Sequence, residues 1–417
     1  MDLSTLLTLV LAAQFLLGFY TLNRLDKGLC GHDVRLFFLS IFALYSLFFP
    51  LAAIVFDFDA KDTPAFDDML VCYNLAIFSF NWVLIRKKRP FYRGNIVYSQ
   101  PGNRKMVVIL YGALVVSSIL FMVAKGVPVF KFGSGMMDRT EYTSNVDQIW
   151  VVLAFINTGV SCYLIFYYGL LDKKYRLYFL ALLFLYILFQ ISLGNRNEYS
   201  AIVLFALGCF LFKRGKLLNL KLLLTIFFLF VFSFYITIFR DPNTRDLARS
   251  EAVEIALQSN EFVYPMQTTY YTIQDKWDFR YGYTYAILPF EVIIPRTLYS
   301  NKPNTLGTEF VLKTFGPDSM GYAYTPVTEA YLNFGFLGPF IVFLLLSLFL
   351  DKVVREVNYY GGSYKYLMIY ALSFNINRGE FASIIYMSLF LYVAYKICAR
   401  LTIYKKSNFK FEGFELE

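Results

Sequence analysis

The chain has 417 residues, a formal net charge of +9, and 58% apolar side chains. Counted as soluble chains are, where roughly 45–50% is usual, the apolar share is still about 56%, and the charged share falls well below the roughly 25% expected. A soluble protein of this size could not hide so much apolar surface, and the expected class is an all-α polytopic membrane protein. One histidine, His32, and five scattered cysteines (Cys30, Cys72, Cys162, Cys209, Cys398) leave no CxxC and no HExxH. Zinc, haem and iron–sulfur chemistry therefore lack ligands, and no metal or cofactor is expected. Cys72, Cys162, Cys209 and Cys398 lie in apolar runs and read as inert packing. Chemistry is left to Arg, Lys, Asp, Glu, Tyr and backbone groups.

Apolar runs suited to roughly 30 Å of hydrocarbon fall at 3–22, 36–56, 67–85, 106–124, 149–171, 177–194, 199–212, 220–239, 333–350, 366–377 and 381–399. About eleven transmembrane helices are expected, since lipid-exposed backbone must satisfy its own hydrogen bonds. The runs at 199–212, 333–350 and 366–377 are shorter than the usual 20 or so residues.

The connectors alternate in charge. Arg24, Lys27 and Arg35 follow the first run, and a basic cluster from Arg86 to Lys105 follows the third. Lys173 to Arg176, Lys213 to Lys221, Lys352 to Lys365 and the tail from Lys396 to Lys410 continue the pattern. The intervening connectors are poor in bases, and residues 57–68 are acidic. The positive-inside rule then puts the C-terminus in the cytoplasm and the N-terminus outside. His32 falls on the cytoplasmic side. The first run lacks a basic leader and reads as an uncleaved, outward-facing anchor. The net positive charge is a topology signal, and nucleic acid is not an expected partner.

Four regions follow: transmembrane helices 1–8 over residues 1–239, a large extracytoplasmic loop over 240–332, helices 9–11 over 333–399, and a cytoplasmic tail over 400–417. So long a connector in a tightly looped chain is usually functional. Within it, 246–257 reads as an amphipathic helix and 307–315 as a second short one. Its aromatics (Tyr264, Tyr270, Tyr271, Trp277, Phe279, Tyr281, Tyr283 and Tyr285) suit headgroup depth at the membrane surface, and aromatic rings are also what sugar faces stack on. The alternative is a small cap that packs its aromatics internally.

Two outer hairpins are short enough to dip below the surface: Asn195-Arg196-Asn197-Glu198 and Asn377-Arg378-Gly379-Glu380. Charge at such depth normally faces a cavity or a partner. Arg196 and Arg378 are candidate anion binders. Glu198 and Glu380 read equally well as caps of the helices they precede. Arg240 closes the eighth run, and Arg296 lies in Ile294-Pro295-Arg296. These four arginines can converge at the outer interface, where the planar guanidinium suits a diphosphate.

The stretch Ile294-Pro295-Arg296-Thr297-Leu298-Tyr299-Ser300-Asn301-Lys302-Pro303, with Gly307-Thr308, Thr325-Pro326 and Glu329-Ala330-Tyr331-Leu332-Asn333-Phe334-Gly335, resembles the Wzy family of O-antigen-type repeat unit polymerases. The Gly194-Asn195-Arg196 turn is similar to that family's Gly-Ser/Thr-Arg turn. The resemblance implies a metal-independent glycosyltransferase outside the cytoplasmic membrane. Its members move a growing glycan from undecaprenyl diphosphate onto the sugar of the next lipid-linked repeat unit, for O-antigen, capsule or exopolysaccharide. A chain-length regulator is a further candidate partner. Diphosphate or glycan contact carries over onto Arg296 and, more weakly, Arg240 and Arg196.

In such a displacement the diphosphate leaves as an activated group, and arginines would neutralise it. The accepting hydroxyl needs a base within hydrogen-bond reach. Glu329 and Arg296 are the first catalytic candidates, with Glu291, Glu380, Glu198 and Lys302 behind them. Two alternatives remain: an O-antigen ligase-like transferase, which usually depends on an outer-side histidine missing here, and a lipid-linked oligosaccharide flippase, which would favour charge along the spans.

Overall fold

The computed structural model describes residues 2–26, 33–87, 104–127, 129–130, 148–193, 196–214, 262–294, 298–299, 301–316 and 323–402. Among these residues there is no strand, and all regular structure is helical. In chain order the helices are α1 (Leu3–Leu25), α2 (Val34–Val55), α3 (Pro64–Lys87), α4 (Lys105–Ala124), α5 (Gln148–Phe166), α6 (Lys173–Ser192) and α7 (Arg196–Arg214). After a gap in the described residues come α8 (Tyr264–Gln274), α9 (Tyr283–Ala286), α10 (Leu288–Ile293), α11 (Leu306–Thr314) and α12 (Pro326–Phe334). The chain closes with α13 (Leu337–Tyr360), α14 (Tyr364–Arg378) and α15 (Phe381–Thr402).

Seven of these helices (α1, α2, α3, α4, α6, α13 and α15) are long and apolar enough to cross a membrane, and α5 and α7 contain shorter apolar stretches. Every expected run except 220–239, which lies outside the described residues, corresponds to a helix. The run at 333–350 needs correction in both bounds. Gly335 adopts φ 61° and ends α12, and the spanning helix starts at Leu337 and runs 24 residues to Tyr360. An apolar run measures what lipid must touch. The helix continues beyond it through Asp351 to Tyr360, where polar side chains do not stop backbone hydrogen bonding.

α3 packs against α1 and α13, α14 against α7 and α2, and α15 against α5. Large side chains such as Leu16, Leu177 and Phe184 remain exposed on the outer helices, as a lipid-facing wall requires. α14 is short because it is interior: Tyr366 to Ser373 are all buried, on every face of the helix. The described residues of the basic connectors meet at one end of the bundle. There Arg35 pairs with Asp33 at 2.6 Å and Asp26 at 3.9 Å, the Tyr366 hydroxyl accepts from the Val34 N–H at 3.3 Å, and Lys105 faces Asp172 at 3.9 Å.

The opposite end holds the α2–α3 connection, the α14–α15 connection and the short helices α8 to α12. The segment does not simply lie on a surface. α8 wedges between α2, α3 and α12, burying Pro265, Met266, Thr268, Thr269, Tyr270, Thr272 and Ile273. Its threonines make this possible. Thr268 Oγ1 donates to Ala323 O at 2.7 Å, Thr269 and Thr328 share a hydroxyl bond of 2.7 Å, and Tyr73 of α3 reaches Thr269 and Thr325 at 3.5 Å. These hydroxyls enter the bundle with partners, which removes most of the burial penalty.

The aromatics of this segment divide. Trp277, Tyr270 and Tyr324 are buried, whereas Tyr281 and Phe279 are exposed. The short helix expected at 307–315 is present as α11, capped by Thr305, which accepts from the Thr308 N–H. The amphipathic helix expected at 246–257 lies outside the described residues.

A candidate active site at the head of two helices

α12 begins with Thr325 in an extended conformation, its hydroxyl accepting from the Thr328 N–H at 3.1 Å, with Pro326 at the first helical position. Both features are strong helix starters. They fix Glu329 in the first turn, on the side that faces α15. Thr325→Ala should cost about 1 kcal/mol, a typical loss for such a cap. A thermal melt in detergent would reveal it; an unchanged midpoint would mean that the cap is not what sets this start.

Glu329 is fully buried. Its Oε2 accepts from the Phe381 N–H at 2.6 Å, satisfying an orphan donor at the first residue of α15. The neighbouring Glu380, also buried, does not cap α15 with Oε2 but crosses over to accept from the Leu306 N–H of α11 at 2.5 Å. Its Oε1 accepts from the Ser383 hydroxyl at 3.0 Å. Two carboxyl groups thus hold the starts of two helices in a crossed arrangement, each at a helix end that favours negative charge.

Burial pushes the Glu329 carboxyl up to about 8, and the charge of Glu380 adds to the rise, while the Thr284 hydroxyl and Phe381 N–H oppose it. Thr284 stabilises the ionised form, yet it lies outside hydrogen-bond geometry to Oε1, which has no bonded partner. Glu380 is pushed up less, to about 6: burial raises it, and Ser383, Leu306 and Gly307 hold it back. Both carboxyls are thus held above the ordinary carboxylate range, Glu329 further than Glu380.

Asn333, one turn after Glu329, ties the site together. Its Nδ2 donates to Glu329 O and to Thr284 Oγ1, both at 2.7 Å, and its Oδ1 accepts from the Gly282 N–H at 2.9 Å. Gly282 takes φ 86°, a left-handed conformation that glycine adopts at little cost. The turn at 280–284 is thereby locked onto α12, with Arg280 N–H also donating to Leu332 O at 2.9 Å. Tyr285 stacks on Phe334 and meets Phe381 edge-on, closing one side of the carboxyl pair.

Beside this turn lies a partly open cleft of about 90 Å³, lined by Arg280, Tyr283, Thr284, Leu288, Pro303 and Glu309 among others. Arg280 and Glu309 form an ion pair across it, and the Tyr283 hydroxyl donates to Glu291.

Of the expected site residues, Glu329 and Glu380 come together, and Glu291 sits nearby on α10. Lys302 donates to Ile294 O at 2.9 Å. Glu198 lies in the first turn of α7. Arg378 ends α14 with its guanidinium 5.0 Å from the Phe374 ring. Arg240 and Arg296 lie outside the described residues, as does the side chain of Arg196. Sequence reasoning missed Arg280, Thr284, Glu309 and Asn333. Only Asn333 had a usable signal, its spacing of four from Glu329. Among the described residues no three His, Cys, Asp or Glu side chains gather as a metal site would require.

The architecture is that of an all-helical, multi-pass membrane protein with a pair of buried carboxyl groups, Glu329 and Glu380, at one end of the bundle. The family model for the O-antigen polysaccharide polymerase Wzy matches residues 33–407, nearly the whole chain, and the protein belongs to that family. Membership points to polymerisation of O-antigen repeat units, with lipid-linked oligosaccharides as substrates in the membrane. No curated protein and no solved structure matches the chain.

Proposed function

We propose that the protein lengthens a surface polysaccharide on the outer face of the cytoplasmic membrane, using undecaprenyl-diphosphate-linked repeat units as both donor and acceptor. The observation that carries this reading is Glu329: a fully buried carboxyl with one oxygen anchored on Phe381 N–H and the other unbonded. Such a group can take a proton from an accepting hydroxyl, since a base is most useful when its pKa lies near the working pH. The accepting oxygen then attacks the anomeric carbon, and the bond to the diphosphate breaks with its electron pair.

Arg296, Arg240, Arg196 and Arg378 hold the departing diphosphate by charge and bidentate hydrogen bonding, with no metal required. Eleven spans, an outer segment over 240–332, an outer N-terminus and a cytoplasmic tail follow the charge pattern. In support, the short helices α8 to α12 sit at the end of the bundle away from Arg35, Lys105 and Lys365. A chain-length regulator would act from outside this site.

The test is direct. Purified protein incubated with lipid-linked repeat units, with and without a chelator, should give a ladder of products on a gel in both cases. A single larger product would indicate a ligase-like transferase, and no change in size would indicate a transporter; either would overturn the proposal.

A further inference from the structure

We infer that the cleft between Arg280, Glu309 and Tyr283 seats the neutral, non-reducing-end sugar of the incoming repeat unit, the sugar whose hydroxyl becomes the acceptor. The inference rests on the polymerase reading and adds to it where the acceptor sits and what chemical class it belongs to.

Size comes first. The cleft is small, about 90 Å³, and partly open, so it receives one face of a single sugar ring and not a longer glycan.

The lining then separates the candidate ligands. A diphosphate needs an excess of cationic donors, but the one guanidinium of the lining, Arg280, is already paired with Glu309. A uronic acid meets the same objection, because its carboxylate would have to displace Glu309. A lipid tail gains nothing from an ion pair that keeps about a third of its surface exposed. A neutral sugar fits all the parts. Its C–H face can lie against Tyr283, Leu288 and Pro303, while a pair of adjacent hydroxyls can accept from Arg280 and donate to Glu309.

Position supplies the last step. Thr284 lines the cleft, and Asn333 donates both to its hydroxyl and to the backbone carbonyl of Glu329, which places Thr284 between the cleft and that residue. A ring seated on Tyr283 therefore has its inner hydroxyl directed past Thr284 towards Glu329. In the transfer that oxygen loses its proton to Glu329 and bonds to the donor's anomeric carbon, as the carbon–oxygen bond to the diphosphate breaks. Asn333 fixes the Thr284 hydroxyl and so sets the orientation of this passage.

The test uses the full chain in nanodiscs and saturation-transfer NMR. The first probe is the repeat-unit oligosaccharide of the native cell, freed from lipid and diphosphate; the second is undecaprenyl diphosphate without glycan. Arg280→Ala and Thr284→Val should each weaken oligosaccharide binding about tenfold, the scale of one charge-assisted or well-placed buried hydrogen bond. Binding of undecaprenyl diphosphate should not change. Octyl glucuronide, excluded by the wild type, should bind to Glu309→Gln, in which Arg280 has lost its partner.

Oligosaccharide binding that survives both first variants overturns the seat, as does a parallel fall in undecaprenyl diphosphate binding or a wild type that prefers octyl glucuronide to octyl glucoside. If the ladder forms but the variants bind normally, the seat fails and the polymerase reading stands. If no ladder forms but the variants lose the oligosaccharide, the polymerase reading fails and a sugar-binding cleft remains.

Discussion

Glu329→Gln should abolish ladder formation and yet leave the protein more stable than the wild type at pH 7. Removal of a general base costs roughly 10²–10⁴-fold in rate, which takes a processive polymerase below detection on a gel. The stability change has the opposite sign because the native state holds this carboxyl unfavourably. Its pKa stands at about 8 in the fold, against 4.5 for an unperturbed carboxyl. Between those two values the unfolded chain has released the proton and the folded chain has kept it. Stability therefore falls as pH rises through this window.

The glutamine of the variant cannot ionise, and its side-chain oxygen can still accept from Phe381 N–H. The gain at pH 7 is on the order of 3 kcal/mol, shrinking below about 1 kcal/mol at pH 5. The wild-type rate should rise with pH and level off above about 8, as the base becomes ionised. Melting curves of both proteins at pH 5 and pH 7 make the comparison. A variant no more stable at pH 7 than the wild type would mean that Glu329 is already ionised, through a partner that the packing does not reveal. Arg296→Ala, also expected to stop lengthening, has no reason to change how melting depends on pH.

The sequence carried the bundle well and the site unevenly, for physical reasons. Lipid imposes a strong and local demand, about 20 apolar residues in a row, so the apolar runs corresponded to helices wherever the chain is described. α8 escaped this logic. Its Thr268, Thr269 and Thr272 make it look half polar, and nothing in a sequence says that Thr268 and Thr269 will find Ala323 O and Thr328 inside a bundle. Glu329 was recognisable because the Thr-Pro start puts it in a first turn. Glu380 was recognisable as a cap, but of the wrong helix: its Oε2 serves α11 while Glu329 serves α15. Such crossed capping depends on where two distant helix starts meet. The Arg280–Glu309 pair, 29 residues apart in the chain, follows no period and could be seen only in three dimensions.

Gly338→Ala should destroy activity through packing alone, even though alanine is the better helix former by about 1 kcal/mol. Gly338 lies in the first turn of α13, and its N–H donates to Gly335 O at 3.0 Å. A Cβ there would stand 1.9 Å from Ala330 O and 2.5 Å from its carbonyl carbon. Both atoms belong to backbone, so no side chain can rotate away, and α12 itself would have to retreat by about an ångström or more to reach ordinary contact. Ala330 follows Glu329 directly, and the retreat would draw the carboxyl off the Phe381 N–H.

Overpacking of this kind typically costs about 1–3 kcal/mol or more, which outweighs the propensity gain, and a misplacement of about 1 Å can cost on the order of 100-fold in rate. Gly169→Ala is the control, because a Cβ at that position meets nothing within 4 Å. The control should form a normal ladder and melt like the wild type. Gly338→Ala should melt earlier and form no ladder, or fail to accumulate folded. A Gly338→Ala protein with normal melting and normal products would show that α12 can move without disturbing Glu329, and the close approach of α12 to α13 would then have no part in holding the base in place.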